Sequence, residues 1–454
     1  MITEFLHRYD GYRTARGDLA AVDYRRCSID SRTIAPGEMF VALRGEVHDG
    51  HRYAAVAAQN ASALVLEAAW DQAHGAELPA DCAVIVVDDT LDFLQQLGAW
   101  HRRKFELPLI GITGSNGKTT TREMMAAVLE KKYRVFQSEG NKNNHIGLPL
   151  MLLKLDRHAE VAVLELGTNH PGEIAHLSAL AGPTAAVITN IGKAHIGFFG
   201  TREAIYEEKT ALFRALGAEG VLFLNLEDGF LKRYPRETHQ GPVITVGLTP
   251  GCDVCGSAVA ADGLGRMQFR INDTMIVQLQ VPGRHNLMNG LLAAAVGMYF
   301  QVDDEAIRDA LENFQPVKQR MQVEEKDGVR FINDAYNANP DSMRAAIDYL
   351  LGLEARPRIV VLGDMLELGE FSENEHRELG GYIAERAIDM VLLYGPQARF
   401  IESGIRESGG AMPVFYCQTH AEIAAHLRRI IARDTVVLLK GSRGMTMEKV
   451  LALL

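Results

Sequence analysis

A strand, a glycine-rich loop and a helix are predicted in direct succession over residues 109–130, and this junction limits the possible folds more than any other segment. The apolar run at 109–113 continues into G-S-N-G-K-T-T at 114–120, and helix-forming residues follow at 122–130. Glycines let backbone N–H groups curl around phosphate oxygens, and the helix N-terminus adds positive potential. The strict phosphate-loop pattern has glycine where this chain has Ile112, so the loop is a variant. The junction predicts a parallel α/β sheet that binds a nucleotide, in preference to a glycine-rich turn with an exposed lysine.

The residues of this loop have separate predicted roles. Lys118 is expected to reach the β- and γ-phosphates, and Thr119 is expected to ligate Mg²⁺. The residues of the loop that are predicted to bind the nucleotide are Thr113, Gly114, Ser115, Asn116, Gly117, Lys118, Thr119 and Thr120.

The length of the chain favours about three domains, because 454 residues exceed what one ordinary hydrophobic core supports. We predict a small α/β unit over residues 1–89, a central parallel-sheet domain like a phosphate-loop ATPase over 90–314, and a Rossmann-like domain over 315–454. Short β-like runs over 221–281 predict an antiparallel edge on the central sheet. In the last domain the predicted strands are followed by Gly, Asp or Asn, and open α/β sheets bind ligands at the carboxyl ends of their strands. The predicted fold class is α/β with three domains.

Charge and cysteine content exclude several classes of protein. The chain has 47 basic and 58 acidic residues, a net charge of −11, so no overall positive field attracts nucleic acid or an anionic membrane. Residues 1–19 lack an apolar leader, and no run approaches the roughly 18 apolar residues of a membrane span. The five cysteines do not suggest a disulfide framework, and Cys252 and Cys255 are interpreted as turn residues because no second pair follows at zinc spacing. We expect a cytoplasmic monomer without a nucleic-acid or membrane partner.

Seven further segments accompany the phosphate loop. They are N-K-N-N-H-I-G-L-P at 141–149, E-L-G-T-N-H-P-G-E-I at 165–174, T-N-I-G-K-A-H at 189–195, G-R-H-N-L-M-N at 283–289, N-D-A-Y-N-A-N-P at 333–340, G-D-M-L-E-L-G at 363–369 and K-G-S-R at 440–443. Together with T-G-S-N-G-K-T at 113–119, these segments resemble the Mur ligase family in order, from Asp30 to Glu448. The strings at 333–339 and 363–369 are typical of the branch that adds D-alanyl-D-alanine.

The resemblance implies an ATP-dependent acid–amino-acid ligase. Such an enzyme joins D-alanyl-D-alanine to UDP-N-acetylmuramoyl-tripeptide through an acyl-phosphate, in the synthesis of peptidoglycan precursors for the cell wall. The third residue of the tripeptide is either diaminopimelate or lysine. Two alternatives stay open: another Mur-type or folylpolyglutamate-type amide ligase, and a non-catalytic nucleotide switch. Polar strand ends in three domains argue against the switch, which needs only one nucleotide domain.

By resemblance, the family holds two Mg²⁺ ions, and Thr119, Glu165, His195 and Lys209 are the expected ligands. Glu165 follows a predicted apolar strand, where its alternative role is to cap a nearby helix. His195 lies in a glycine-flanked loop, where a lone histidine is more often solvated than a ligand. The family usually continues the A-H pair with leucine and an acid, whereas this chain has glycine at 197.

Lys209 is unusual from the sequence alone. It shares the apolar stripe of a predicted helix with Ile205, Leu212, Phe213 and Leu216. A free ammonium there is costly to bury unless it snorkels or pairs with an acid such as Glu208. The resemblance implies instead that Lys209 is carbamylated by CO₂ and binds Mg²⁺.

Three more residues are implied at the ATP site: Asn289 at the adenine, Arg320 at the γ-phosphate and Asp334 at the ribose. An amide can pair with an adenine edge, whereas Arg320 and Asp334 could equally be members of surface ion pairs. Because both come from the third domain, that domain is expected to close onto the second. The expected catalytic residues are Lys118, Lys209, His195 and Arg320.

Substrate-binding residues are also implied by the resemblance. The UDP-linked substrate is assigned Ser31, Arg32, Gly45, His48 and Asp49, together with Asn143, Asn144 and His145. Candidates in the third domain for the dipeptide, whose amine and carboxylate need an acid and a base, are Asp364, Lys440, Ser442 and Arg443, with Asn337 as a further substrate contact.

Overall fold

The computed structural model describes residues 1–79 and 82–454, and it forms two compact units. The first unit comprises Met1–Gly111, Tyr133–Thr168 and Gly172–Ala185. The second comprises Ile112–Lys132, Asn169–Pro171 and Ala186–Leu454. Each unit is therefore assembled from stretches that are separated in the sequence.

The N-terminal part of the first unit is a five-stranded sheet in the order β1-β5-β4-β3-β2. Only β1 is antiparallel to its neighbour. Alternate residues of β4 pack into hydrophobic clusters on opposite faces, as the period of two in a strand requires. The elements are α1 (Ile2–Leu6), β1 (Tyr12–Arg16), β2 (Cys27–Ser28), β3 (Met39–Val41), α2 (Ala54–Ala57), β4 (Ala63–Glu67), α3 (Ala68–His74), β5 (Ala83–Val87) and α4 (Thr90–Arg102).

The remainder of the first unit brings the chain to the phosphate loop. Its elements are β6 (Leu109–Thr113), which continues into the second unit, and, after α5, β7 (Val135–Gln137), α6 (Gly147–Leu153), β8 (Val161–Glu165) and α7 (Glu173–Ala181). Buried Arg102, at the end of α4, donates to the carbonyl oxygens of Phe105, Leu107 and Ala181 at 2.6, 3.2 and 3.0 Å. One guanidinium thus satisfies the end of α7 and fixes the entry to β6.

The central part of the second unit is a sheet in the order β9-β10-β11-β12-β13-β14. Its strands β10, β11 and β12 are parallel, and β12, β13 and β14 are antiparallel, so the predicted antiparallel edge is confirmed. The elements are α5 (Lys118–Leu129), β9 (Ala185–Ile188), α8 (Ile196–Phe199), α9 (Arg202–Arg214), β10 (Val221–Asn225), β11 (Val243–Gly247), β12 (Val254–Ala261), β13 (Arg266–Ile271), β14 (Met275–Pro282), α10 (His285–Tyr299) and α11 (Asp304–Asn313).

The C-terminal part of the second unit is a six-stranded sheet in the order β15-β16-β20-β17-β18-β19. All neighbours are parallel except β15 and β16. The elements are β15 (Gln322–Lys326), β16 (Val329–Asp334), α12 (Pro340–Gly352), β17 (Arg358–Gly363), α13 (Ser372–Ala384), β18 (Met390–Tyr394), α14 (Arg399–Glu407), β19 (Val414–Cys417), α15 (His420–Ile430), β20 (Val436–Lys440) and α16 (Glu448–Ala452).

The predicted α/β class with three sheet-containing domains is confirmed, and the boundaries at residues 89 and 314 stay predictions. None of the helices in the described part of the chain has both the length and the apolar composition that a membrane span requires.

Candidate active site

The phosphate loop takes a conformation that only glycine fits at two positions. Gly117 caps the N-terminus of α5 in the left-handed region, with φ of 81°. A Cβ at Gly114 would lie 1.9 Å from Oγ1 of Thr189, and a Cβ at Gly117 would lie 2.7 Å from Oδ1 of Asn289. Lys118 follows at the first helical position and donates to the carbonyl oxygen of Gly114 at 2.9 Å. The two glycines therefore allow the backbone to pack tightly around the space in front of the helix N-terminus.

The loop that follows β9 holds the phosphate loop in place. Backbone N–H groups of Ser115 and Asn116 donate to the main-chain and side-chain oxygens of Asn190 at 2.9 and 3.0 Å. Oγ of Ser115 accepts from the Gly192 N–H at 2.7 Å. Asn190 was not among the residues predicted from the sequence, although its T-N-I-G string lies within a matching segment. A polar residue that holds a loop through hydrogen bonds shows no recognisable local pattern in a single sequence.

Residues from the C-terminal part of the second unit reach the phosphate loop. Nη2 of Arg320 donates to Oγ1 of Thr119 at 3.0 Å, and its guanidinium carbon lies 3.8 Å from the ring centre of Tyr336. Nδ2 of Asn339 donates to Oδ1 of Asn116 at 2.8 Å. The structure thus places Arg320 at the loop, where its predicted role at the γ-phosphate stays a prediction, and adds Asn339, which also caps α12.

Lys209 is buried within α9, with 2% of its surface exposed. Burial, reinforced by the charge of Lys118 and opposed by Glu208, lowers the pKa of the Lys209 ammonium to about 7. The described residues place no carboxylate within ion-pair distance of its Nζ, so the alternative of a direct ion pair is not what the structure shows. A large fraction of Lys209 is therefore a neutral amine near neutral pH.

His195 begins α8 in a left-handed conformation, with φ of 60°. Its Nδ1 lies 2.8 Å from Oε2 of Glu367, without the alignment of a good hydrogen bond. This contact with His195, more than the charge of Lys118, lowers the pKa of the Glu367 carboxyl. Glu367 lies in the G-D-M-L-E-L-G segment, for which no separate role of this glutamate is predicted.

Asn289 lies beside the phosphate loop on α10. It is buried and donates to Oδ1 of Asn286 at 2.8 Å, and Asn286 donates to the carbonyl oxygen of Pro282 at 2.7 Å. The pair of amides fixes the orientation of the Asn289 side chain. Thr120, one residue beyond the predicted Mg²⁺ ligand, is buried in the first turn of α5.

The first unit contains Glu165 at the end of β8, 3% exposed. Its Oε1 accepts from Nδ2 of Asn143 at 2.8 Å. Asn144 accepts from the Gly147 N–H at 2.8 Å and so starts α6, while the carbonyl oxygen of His145 accepts from Gln95 at 3.0 Å. Of the predicted trio, Asn143 thus contacts Glu165, the predicted metal ligand.

The N-terminal substrate candidates form two small turns. Arg32 is 86% exposed and pairs with Asp30 at 2.7 Å, next to Ser31. In the other turn, Gly45 donates to the carbonyl oxygen of His48 at 2.8 Å. Asp49 accepts from Nδ1 of His51 at 2.7 Å, and the Nε2 of this fully buried imidazole accepts from a backbone N–H at 3.0 Å. Asp49 is therefore held rigidly, whereas Arg32 is free of the core.

In the C-terminal sheet, two residues predicted for different ligands bind each other. Lys440, 2% exposed, forms an ion pair with Asp334 and donates to the carbonyl oxygen of Asn337 at 3.1 Å. Asp334 was predicted for the ribose and Lys440 for the dipeptide. The strands β16 and β20 are parallel neighbours with Asp334 opposite Lys440, so both side chains come from adjacent strand ends.

The other dipeptide candidates surround this pair. Asp364 is 2% exposed and accepts from the N–H groups of Gln397 and Ala398 at 3.1 and 2.7 Å, and burial raises the pKa of its carboxyl. Ser442 is buried and donates to the Ala338 carbonyl oxygen at 3.2 Å. Arg443 is exposed and donates to Gln319 and Glu448. Arg443 is thus the candidate with the most accessible charge.

Within residues 1–79 and 82–454, no cluster of three or more His, Cys, Asp or Glu side chains is arranged to hold a metal ion. Two of the predicted ligands, Thr119 and Lys209, are a threonine and a lysine, so they do not belong to a cluster of this kind.

Three Mur ligase domain families match the chain. They are the "Mur ligase family, catalytic domain" over residues 23–102, the "Mur ligase middle domain" over 112–297 and the "Mur ligase, glutamate ligase domain" over 319–443. Their order agrees with the order of the three sheets.

Relatives and solved structures match over nearly the full length. The UDP-N-acetylmuramoyl-tripeptide–D-alanyl-D-alanine ligase of Bacillus subtilis (strain 168) is 36% identical, covering 96% of this chain and 95% of the relative. MurF from Acinetobacter baumannii has a TM-score of 0.84 and 33% identity, covering 94% of this chain and 93% of that one. MurF ligase from Thermotoga maritima, solved in complex with ADP, has a TM-score of 0.83 and 30% identity, covering 95% and 97%. The chain belongs to the Mur ligase family.

Proposed function

We propose that this chain is an ATP-dependent ligase that joins D-alanyl-D-alanine to UDP-N-acetylmuramoyl-tripeptide, a step of peptidoglycan precursor synthesis. Relatives that are 32–36% identical over 94–96% of the chain are named as ligases of this specificity. A cytoplasmic monomer remains part of the proposal, because ATP and a UDP-linked precursor are the substrates it requires.

One observation carries the proposal: three cationic side chains gather at the phosphate loop, and among the described residues no carboxylate lies within ion-pair distance of Arg320 or Lys209. Lys118 donates to the carbonyl oxygen of Gly114, and Arg320 donates to Oγ1 of Thr119. Lys209 is close enough to Lys118 for each positive charge to disfavour the other. An anionic polyphosphate relieves this repulsion, and the helix N-terminus adds to the attraction.

The reaction needs two displacements. A carboxylate oxygen of the tripeptide bonds to the γ-phosphorus of ATP while the bond from that phosphorus to the bridging oxygen breaks, and ADP leaves. The amine nitrogen of D-alanyl-D-alanine then bonds to the acyl carbon, the bond from that carbon to the phosphate oxygen breaks, and the nitrogen loses a proton. The negative charge on the phosphoryl oxygens repels an approaching carboxylate. Lys118 and Arg320 stabilise this charge during the first displacement.

Two Mg²⁺ ions and a carbamylated Lys209 belong to the same proposal. Thr119 and Glu165 are oxygen donors of the kind that Mg²⁺ prefers, whereas an ammonium cannot be a ligand. Lys209 fits this role only after modification, and its pKa of about 7 supplies the neutral amine that adds to CO₂. Bound Mg²⁺ neutralises phosphate charge and orients the oxygens for displacement.

The substrate-binding roles predicted from the sequence are also proposals. Arg443 is the best placed to bind the dipeptide carboxylate, because its guanidinium is exposed, where it donates to Gln319 and Glu448. Lys440 pairs with Asp334, and Asp364 accepts from the Ala398 N–H before α14, so both side chains are already held by contacts within the C-terminal sheet domain.

Phosphate release from ATP is the decisive test. We expect release only when UDP-N-acetylmuramoyl-tripeptide and D-alanyl-D-alanine are both present, because the acyl-phosphate forms on a bound carboxylate and is consumed by an amine. The tripeptides that end in diaminopimelate and in lysine are assayed in parallel. Release with a different acceptor amino acid would reassign the chain to another amide ligase, and brisk release with ATP alone would indicate a nucleotide switch.

The carbamate has a test that does not need turnover. Protein equilibrated with ¹³C-labelled bicarbonate is expected to show one slowly exchanging carbamate carbon by NMR, which Lys209→Ala removes and the exposed control Lys326→Ala retains.

A second test uses activity. Lys209→Ala is expected to be nearly inactive. Added acetate is expected to restore part of its activity, whereas extra Mg²⁺ alone is not. A fully active Lys209→Ala protein would end the carbamate assignment.

A further inference from the structure

The turn over residues 366–369 packs directly onto the N-terminus of α8. The Gly197 N–H donates to the carbonyl oxygen of Glu367 at 3.2 Å. A Cβ at Gly197 would lie 2.5 Å from the backbone nitrogen of Gly369 and 2.5 Å from the carbonyl carbon of Leu368. Glycine at 197 is therefore what permits this approach, and any side chain there would force the turn away.

The approach brings together two residues with a left-handed backbone. His195 and Glu367 have φ of 60° and 65°, a region that histidine adopts more readily than most residues but that is uncommon for glutamate. Nδ1 of His195 and Oε2 of Glu367 are 2.8 Å apart. Such a backbone conformation in glutamate persists only where surrounding contacts enforce it, and it concentrates at functional sites.

Further contacts hold the loop before α8 against helices α12 and α13 of the C-terminal part. The Lys193 N–H donates to Oδ2 of Asp341 at 2.6 Å, and Lys193 Nζ lies 2.6 Å from Oε1 of the buried Glu375. The charge of Lys118 also acts on the Glu367 carboxylate, so Glu367 lies in the electrostatic neighbourhood of the phosphate loop. The pairing of His195 with Glu367 is therefore part of a built interface.

We propose that Glu367 is a positioning residue for His195: its carboxylate engages Nδ1 of the imidazole and thereby directs Nε2 toward the divalent cation. This inference rests on the proposed function and on the role of metal ligand that the family resemblance implies for His195. A ligating histidine commonly gives its second ring nitrogen to a carboxylate, which fixes the tautomer and the ring orientation. Here the carboxylate comes from the C-terminal part of the unit, so docking of the 366–369 turn on Gly197 controls how the imidazole is presented.

The decisive variant is Glu367→Gly, because glycine accepts a φ of 65° without strain while it removes the carboxylate. We expect its thermal midpoint to match or exceed that of the parent protein. We expect Mn²⁺ binding, followed by the electron paramagnetic resonance of free Mn²⁺, to weaken about 10–100-fold, and kcat to fall by a similar factor. KM for ATP should change far less. Glu367→Gln, which keeps the shape and one acceptor oxygen, should lie between the two.

Two further variants make the test specific. Glu370→Gln changes an exposed acid three residues away and should behave as the parent does. Gly197→Ala leaves the Glu367 carboxylate intact but displaces the turn, so it should weaken Mn²⁺ binding as Glu367→Gly does. Parental Mn²⁺ affinity and kcat in both Glu367→Gly and Glu367→Gln would overturn the inference. If the parent protein did not turn over the proposed substrates and Glu367→Gly still weakened Mn²⁺ binding, the proposed function would fail while the positioning role stood.

Discussion

The phosphate loop and the strand ends of the C-terminal sheet are both rich in charge, yet they neutralise it differently. At the loop, Lys118 donates to a backbone carbonyl oxygen and Arg320 to a hydroxyl. At the strand ends, Lys440 is buried against Asp334. At the loop the Arg320 guanidinium therefore meets a neutral hydroxyl, whereas the charge of Lys440 at the strand ends is compensated by a carboxylate within the protein. We expect cations at the loop to matter for turnover and the pair at the strand ends to matter for stability.

The strongest test of this contrast is Lys118→Met. Because the side chain acts on the phosphoryl oxygens, we expect turnover to fall about 10²–10³-fold. The urea midpoint should change little, since the methionine keeps the apolar stem. Steady-state phosphate release and urea unfolding of the same preparation measure both effects. A variant with near-parental turnover would show that the loop is not the site of ATP chemistry.

The matched experiment at the strand ends is a double-mutant cycle on Lys440 and Asp334. Lys440→Met leaves a carboxylate without its buried partner, so we expect a loss of about 3–5 kcal/mol in the free energy of unfolding. Adding Asp334→Asn should recover a large part of that loss, because the orphaned charge disappears. If both single variants unfolded as the parent does, this pair would not be the internal compensation described above.

Lys209 lies between these two cases, since it is buried like Lys440 but has no carboxylate partner in the described residues. The folded pKa of about 7 lies below the ordinary value of 10.5, so the unfolded chain binds more protons between these two pH values. Parental stability therefore rises from pH 7 to 10.5, and below pH 7 it carries the full cost of a buried ammonium. In CO₂-depleted buffer, Lys209→Met should be more stable by on the order of a few kcal/mol at pH 6.5, and the advantage should shrink as pH rises. A constant difference between pH 6.5 and 10 would contradict the lowered pKa.

The smallest expected effect belongs to Arg320→Ala. Because Arg320 reaches the loop from the C-terminal part of the unit, we expect kcat to fall about 10-fold while ATP affinity changes less. Arg320→Lys keeps the charge but not the stacking on Tyr336, so it should recover only part of the rate. Nucleotide binding by calorimetry and single-turnover rates separate the two quantities. Equal losses in ATP affinity and in the single-turnover rate would show that Arg320 contributes as much to ATP binding as to the chemical step.

From the sequence, the burial and position of single residues could be predicted better than the residues that they contact. The glycine loop and the burial of Lys209 follow from short-range patterns, namely a strand-to-helix junction and an apolar stripe. Which strand end faces which depends on sheet order, and the adjacency of β16 and β20 is what pairs Asp334 with Lys440. No local pattern carries that information.

Glu367 and Asn190 illustrate the same limit at the site itself. Each contacts a predicted residue across a long stretch of sequence, and neither residue type is unusual in its own segment. Gly197 was the available signal, since glycine at that position departs from the family pattern and proves to mark a close backbone approach.

The discontinuity of the first unit has a consequence for how the protein is made. Arg102 is synthesised well before Ala181, whose carbonyl oxygen it needs, and the intervening residues 112–132 belong to the other unit. While the chain emerges from the ribosome, the first unit must wait for residue 185 before it is complete, although domains generally fold from the N-terminus as they appear. A nascent chain that stalls before that point exposes the Arg102 guanidinium and apolar strands that are buried in the finished unit, and this exposed surface is of the kind that chaperones bind.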